Sequence, residues 1–365
     1  MKLVLCGDFV PTKVTVPAFD AGDLKALMGD TLEAIAWGDY AVANLECALT
    51  DSEARTRKCG PNLKGKPEYA KVYADCGFTH LGMSNNHVLD FGIQGMKDTV
   101  EAVKAAGIQP FGYGENDQDS RWIQYIEKDG QKVAIIAVCE HEYSYALKDQ
   151  YGANPFDPFD TMEDITKAKA NADYVIVMYH GGKEQCEYPS PRLRKACRAM
   201  VRAGADIVLC QHSHCVGCRE NYKGSEIVYG EGNFNFVGLN ETHPHWQSGL
   251  MMQVDLNDGV KIEYLPLVVT PTGITLAKGE KAEEILNGFA ERSVILQDDE
   301  KWNAAWVAFC KSMPNYVPAA ANAFKDIPEG ESVNQIFPHY LDCEAHLDVW
   351  MTIFKTWHAD KTSNA

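Results

Sequence analysis

Short apolar segments recur along this chain of 365 residues, and segments with apolar residues at helical spacing lie between them. Alternation of this kind is typical of βαβ units, whose strands are buried on both faces of a sheet. We therefore predict an α/β fold. The predicted strands are Lys2–Cys6, Tyr40–Ala43, Phe78–Gly82, Val133–Val138, Tyr174–Met178, Ile207–Cys210 and Glu226–Tyr229.

The remaining segments complete the predicted architecture. Asp258-Gly259 between two apolar runs predicts a β-hairpin. After Pro271 the pattern becomes helical, so we predict one domain over residues 1–272 and a helical C-terminal appendage over 273–365. Its tryptophans fit a packed core better than a ligand platform. The predicted helices before it are Leu24–Trp37, Glu68–Cys76, Gly95–Ala106, Thr161–Ala172 and Pro191–Ala203.

Charge and composition narrow the classes of partner. The formal net charge of −17 argues against binding to nucleic acid or to an anionic membrane, because both rely on clustered lysine and arginine. No segment approaches the roughly 18 apolar residues of a membrane span, so we expect no membrane insertion. Twelve cysteines without the spacing of a disulfide scaffold favour a reducing, cytoplasmic location. Cys215 and Cys218 fit a redox motif or half a zinc knuckle less well than structural thiols.

Polar residues follow five of the predicted strands directly. Ligands of open α/β sheets gather at the carboxyl ends of the strands, so we expect these side chains to lie close together. Taken singly, each has an ordinary explanation as a turn, a helix cap or a packed strand-end residue. The set combines carboxylate, amide and imidazole groups, which suits Mn²⁺, Fe or Zn²⁺. Its members are Asp8, Glu46, Asn86, His87, Asp90, His180, His212 and His214.

The segment His212-Ser213-His214 is the most specific of these signals. Residues two apart on extended backbone face the same side, and a turn after the strand can direct both imidazoles into one small volume. Such a pair is incidental in many proteins. Its place after an apolar strand, like that of the other polar residues, indicates a metal pair.

The ordered series of motifs resembles the CapA (poly-γ-glutamate capsule biosynthesis) family of the calcineurin-like metallophosphoesterase superfamily. The resemblance covers roughly residues 1 to 270 and implies a four-layer α/β/β/α sandwich with a two-metal centre at the strand ends. The motifs are Gly7-Asp8, Asn44-Leu45-Glu46, Asn85-Asn86-His87 with Asp90 and Gly92, His180-x-Gly182-x-Glu184, His212-x-His214 and Gly232-Asn233-Phe234.

The resemblance also implies a role for each residue. Glu46 bridges two divalent ions (Mn, Fe or Zn), Asp8 and His214 hold one ion, and the other lies between Asn86, His180 and His212. His87 is not a ligand but a general acid, or a donor to the developing oxyanion, oriented by Asp90. The first motif of the superfamily is usually Asp-x-His, whereas this chain has Val10; an undercoordinated ion is then expected unless Glu184 supplies the ligand. We assign substrate binding to Asn85, Lys183, Glu184 and Asn233.

The function implied is metal-assisted hydrolysis of a phosphoester, or of a γ-glutamyl or related amide, in capsule polymer metabolism. The substrate is then a small molecule or a polymer, and the capsule polymer synthesis machinery is a candidate partner. The alternative is a non-catalytic accessory protein of polymer synthesis or export that retains the fold. Metal content and turnover distinguish the two.

Overall fold

A computed structural model describes residues 1–239, 243–334 and 336–362, with side chains up to residue 356. Its strands are β1 (Lys2–Phe9), β2 (Tyr40–Leu45), β3 (Ala48–Leu49), β4 (Lys64–Gly65), β5 (His80–Gly82), β6 (Gln109–Phe111), β7 (Tyr113–Gly114), β8 (Gln124–Lys128), β9 (Gln131–Cys139), β10 (Gly152–Ala153), β11 (Tyr174–His180), β12 (Ile207–Gln211), β13 (Arg219–Tyr222), β14 (Ser225–Val228), β15 (Asn233–Asn235), β16 (Ser248–Asp255), β17 (Lys261–Val269) and β18 (Ile274–Leu276).

The helices separate the strands in the predicted alternation. They are α1 (Val16–Ala21), α2 (Leu24–Met28), α3 (Thr31–Ala36), α4 (Tyr69–Asp75), α5 (Gly92–Ala105), α6 (Asp117–Ser120), α7 (Asp160–Lys169), α8 (Pro191–Ala203), α9 (Gly279–Leu296), α10 (Asp299–Ser312), α11 (Tyr316–Ala321), α12 (Ile336–Asp342) and α13 (Glu344–Thr362).

Two large sheets carry the fold. The first runs β18-β17-β16-β1-β2-β5-β6, with β15 also paired to β1. Strands β1, β2, β5 and β6 are parallel neighbours, whereas β16, β17 and β18 pair antiparallel. The second runs β13-β14-β12-β11-β9-β8, with β9, β11, β12 and β14 parallel. The turn after Asp255 joins β16 to β17, which confirms the predicted hairpin.

Three apolar clusters define four layers. Leu3 and Leu5 of β1 pack with Ile176 and Leu209 of the second sheet, so one core lies between the sheets. The alternate residues of the first sheet pack on helices α1 to α5, and those of the second sheet pack on α7 and α8. Alternation along each strand therefore buries both faces of both sheets. The predicted α/β/β/α sandwich is confirmed.

The predicted helix Leu24–Trp37 is wrong in one respect, because Gly29 divides it into α2 and α3. The φ of Gly29 is +51°, and a Cβ atom there would lie 2.6 Å from Thr275 Oγ1. Thr275 belongs to β18, about 250 residues away in sequence, so a tertiary contact overrides the helical pattern.

The C-terminal helices α9 to α13, called the appendage below, cover the second sheet and the strand ends beside it. Helix α9 packs against β13 and β17. Strand β18 extends the first sheet beyond residue 272, where we predicted the boundary between the two domains. That domain boundary stays a prediction. Trp302 and Trp306 are buried, as predicted, whereas the side chain of Trp357 lies outside the described residues. None of the described helices has the length and apolarity that crossing a membrane requires.

Candidate metal centre

The carboxyl ends of the parallel strands bring the predicted ligands together. In the first sheet Asp8 is in register with Asn44, and Asn44 is in register with Gly82, two residues before Ser84. In the second sheet His180 is in register with Gln211, one residue before His212. Both sheets end at the same place, so one sheet supplies mainly oxygen ligands and the other imidazoles.

Two groups of potential ligands share Glu46. One consists of Asp8, Glu46 and His180, and the other of Glu46, His212 and His214; within each group the ligand atoms lie within 4.8 Å of one another. Glu46 Oε1 lies 3.3 Å from His180 Nε2. A carboxylate common to two ligand groups is the arrangement that a bridged pair of ions requires. We call these five residues, together with Asn86, the strand-end centre.

The division of ligands between two ions stays a prediction. The resemblance pairs Asp8 with His214, and Asp8 Oδ2 does lie 3.5 Å from His214 Nδ1. Asp8 Oδ1, however, also lies 3.7 Å from His180 Nδ1. Asn86 Oδ1 is 3.1 Å from His180 Nε2, so these two atoms are close enough to bind the same ion, as predicted for them.

The backbone after β12 turns sharply to place both of its histidines. His212 has a φ of +77° and His214 a φ of +52°, so both occupy the left-handed region that residues other than glycine seldom adopt. The two rings converge to a centroid distance of 5.9 Å. Strained backbone of this kind concentrates at functional sites, and here it directs two imidazoles toward Glu46.

Buried atoms without partners test whether cations fit this arrangement. Among the described residues, Asp8 Oδ2, both Glu46 oxygens and His212 Nδ1 are buried and have no hydrogen-bond partner. Burial, and then repulsion from Glu46, raises the pKa of Asp8 to about 6, and burial raises the pKa of Glu46 to about 7. Burial also lowers the pKa of His180 to about 4. Divalent cations would satisfy the carboxylates and bind the neutral imidazoles, so the residues fit metal ions.

His87 and Asp90 form the predicted pair beside the ligands. His87 Nδ1 lies 2.6 Å from Asp90 Oδ2, and His87 Nε2 faces Glu46 Oε1 at 3.9 Å. Asp90 also pairs with the buried ammonium of Lys58, which lies 3.1 Å from the carbonyl oxygen of Asn86. Burial, and then the charge of Lys58, lowers the pKa of His87. Asp90 Oδ2 and the ammonium of Lys58, which lies 3.1 Å from the same Nδ1, together fix the orientation of the ring.

The predicted substrate-binding residues occupy different positions. Asn85 is fully buried, and its amide donates to Asn44 Oδ1 and to the carbonyl oxygen of Leu45, so it positions the loop. Asn233 Oδ1 lies 2.8 Å from His214 Nδ1. Lys183 and Glu184 line a cavity of about 300 Å³ beside the centre. Contact of any of the four with a substrate stays a prediction.

Val10 is buried in the apolar cluster between the first sheet and its helices. Its backbone N–H donates to the carbonyl oxygen of Asn235. This location explains why an apolar residue is compatible with the position. A histidine there would displace core contacts.

Sequence reasoning missed Glu142, His339 and His346, which approach the strand-end centre from another side. Glu142 Oε2 lies 3.3 Å from His212 Nε2 and accepts from Asn86 Nδ2 at 3.1 Å. The signal for Glu142 was present, because Glu140-His141-Glu142 follows the apolar strand β9 directly. The two histidines lie on appendage helices that carry no recognisable motif.

Comparison with a family profile shows which protein family the chain belongs to. The profile of the family "Bacterial capsule synthesis protein PGA_cap" matches residues 2–237. The chain belongs to this family. The matched segment contains the strand-end centre with His87 and Asp90, and ends before the appendage.

Relatives agree with this family. The chain is 37% identical over 207 residues to a capsule biosynthesis protein CapA of Bacillus anthracis, which covers 54% of this chain and 50% of that protein. It is 27% identical over 265 residues to a "probable polyglutamine synthesis accessory protein" of Mycobacterium tuberculosis, covering 67% and 69%. The match thus spans about half the length of the Bacillus relative. A solved NAD nucleotidase of Haemophilus influenzae has a TM-score of 0.43 at 10% identity, covering 90% of this chain and 68% of that one.

Proposed function

We propose that this chain is a metal-dependent hydrolase that cleaves a phosphoester or a γ-glutamyl amide bond in capsule polymer metabolism. One observation carries the proposal: Glu46, neither of whose buried oxygens has a hydrogen-bond partner, is common to two ligand groups and lies 3.9 Å from the imidazole of His87. A set of metal ligands without a neighbouring proton donor would suit an ion with a purely structural role. A histidine held by a carboxylate beside the ligands is what proton transfer requires.

The residues of the chain have separate tasks in this proposal. Two divalent ions held by the strand-end centre would polarise the substrate's phosphoryl or acyl oxygen and lower the pKa of a water molecule. Glu46 balances their charge from within the protein. His87, oriented by Asp90, acts as a general acid from Nε2 once it has taken up a proton, and its lowered pKa favours release of that proton to the leaving group. Lys183, at the rim of the cavity, attracts an anionic substrate despite the net negative charge of the chain.

Activity on defined substrates tests the proposal. Protein purified without chelator is assayed for metal content and against a phosphomonoester, a phosphodiester and a γ-glutamyl peptide. Turnover of one class is expected, with loss after chelation and recovery on adding Mn²⁺. A fully loaded protein that turns over none of the three would contradict the hydrolase proposal.

A second candidate function is that of a non-catalytic accessory protein. The name of the Mycobacterium tuberculosis relative and the burial of Val10, which withholds the first-motif ligand, favour it. In that case metal content should depend on Glu46, while His87→Ala should leave metal content unchanged and have no turnover to lower. The two candidates therefore differ in what His87 does.

A further inference from the structure

The appendage places two imidazoles beside a buried carboxylate outside the strand-end centre. One ligand atom from each of Glu142, His339 and His346 lies within 4.8 Å of the others. The two imidazole centroids are 4.4 Å apart, and His339 Nδ1 lies 3.7 Å from Glu142 Oε1. We propose that Glu142, His339 and His346 form an additional site for a divalent ion of the zinc class, adjoining the strand-end centre.

The donor set supports this class of ion. One carboxylate and two imidazoles are the protein ligands of many zinc sites that leave a position open for water. Glu142 and His346 are buried, and His339 is largely buried. The adjoining cavity of about 300 Å³, which His339 and His346 line, gives an ion a route from solvent.

Contacts outside the cluster hold both imidazoles in place. The hydroxyl of Tyr143 lies 2.8 Å from His339 Nδ1 and its ring stacks on the imidazole, at an interplanar angle of 3°. The hydroxyl of Tyr316 lies 2.7 Å from His346 Nδ1. Partners of this kind fix the orientation of metal-binding histidines.

The segment after β9 docks the helix that carries His346. His141 N–H donates to Glu344 Oε2 at 3.0 Å, and Ala345 N–H donates to Glu140 Oε2 at 3.2 Å. These two bonds, made by the residues just before Glu142, set the position of α13 relative to it. The convergence of the three ligands therefore follows from the docking of the appendage.

Lys58 and Lys183 lie close enough to Glu142 to interact with its charge, but both make their ion pairs with other carboxylates. Lys58 pairs with Asp90, and Lys183 Nζ lies 3.8 Å from Glu184 Oε2. Each lysine therefore has a carboxylate of its own. Glu142, in contrast, contacts only amide and imidazole groups among the interactions described above, which suits a carboxylate that accepts a cation.

The two oxygens of Glu142 face different sites. Oε2 contacts His212 and Asn86 of the strand-end centre, whereas Oε1 faces His339. Substitution of Glu142 would therefore disturb both sites. His339 and His346 make the cleaner test, since neither belongs to the strand-end centre.

Metal counting tests the proposal whatever reaction the protein catalyses. The full chain is stripped with chelator, reloaded with Zn²⁺, passed through gel filtration and analysed for zinc. We expect His346→Gln and His339→Gln each to hold one equivalent fewer than the wild type. The control His80→Gln removes a buried imidazole at the opposite end of β5, away from both sites, and it should retain that equivalent.

Two results would overturn the proposal. One is equal zinc content in the wild type and in both variants His339→Gln and His346→Gln, and the other is loss of the same equivalent in His80→Gln. If the variants fail to fold, wild-type crystals grown with stoichiometric Zn²⁺ decide the matter. An anomalous peak between the three side chains is expected, whereas its absence, or a peak that appears only at millimolar zinc, shows an adventitious ion only and refutes the site.

Discussion

The residues of the strand-end centre and the two appendage histidines, His339 and His346, are held in place by different kinds of contact. Asp8 and His180 are the last or nearly last residues of strands whose neighbours are hydrogen-bonded in register. His339 and His346 arrive on helices held by a few side-chain contacts, such as that between His141 and Glu344. Sheet register thus fixes one side, and helix docking fixes the other. The strand-end centre should therefore tolerate a local substitution in the appendage, and the appendage should unfold without disrupting that centre.

The largest expected effect on the strand-end centre comes from Glu46→Gln. The variant keeps the shape of the side chain but removes the charge shared by both ligand groups, so metal affinity should fall by well over the roughly 10–100-fold that indirect partners cost. Metal content and hydrolytic turnover measure the result. The exposed Glu53, paired with Lys64, offers Glu53→Gln as control. Retention of both ions in Glu46→Gln would mean that the shared carboxylate is not a ligand.

The next effect separates chemistry from metal binding. His87→Ala should lower kcat by about 10²–10⁴-fold, because a positioned acid typically contributes that much, while metal content stays unchanged. Asp90→Asn should lower kcat less, since the ring remains. Elemental analysis and steady-state kinetics measure both properties. An unchanged kcat in His87→Ala, in a protein that still hydrolyses substrate, would remove the proton-transfer role.

A smaller effect on the strand-end centre is expected from damage to the appendage core. Trp306 is buried with Cys310, Tyr316 and Val349, so Trp306→Ala should destabilise the appendage by about 3–5 kcal/mol. Hydrogen exchange should report faster opening of helices α10 and α13, while the ions of the strand-end centre remain bound. Trp122→Ala, at a more exposed tryptophan, serves as control. Loss of those ions in Trp306→Ala would show that the two sides are not separable.

The smallest effect on metal binding is expected at Val10. Because Val10 lies in the core, Val10→His should not add a ligand and should cost about 1–3 kcal/mol through overpacking. Thermal unfolding and metal titration measure the two quantities, with Val10→Ile as a control for crowding alone. Tighter metal binding in Val10→His would show that this position can reach the centre.

The same contrast explains what the sequence could and could not predict. Residues that follow parallel strands can be grouped from the sequence because the strands align their carboxyl ends. Asp8, Glu46 and His212 could therefore be predicted to lie together. Glu142 obeys the same rule after β9. His339 could not be found this way, because the face on which a helix docks depends on contacts that no short pattern encodes. The break at Gly29 has the same origin, since Thr275 imposes it from a distant strand.

The two sheets contribute ligands to one centre, and this gives the buried layer between them a second consequence. Glu46 belongs to one sheet's edge and His180 to the other's, with Leu5, Ile176 and Leu209 filling the space behind them. The size of these side chains sets the distance between the two sheets, and therefore the distance between ligands that belong to opposite sheets. Close-packed interiors transmit a change of one methylene group. In a protein that holds the proposed ions, residues without any polar atom would thus help to determine which ions fit.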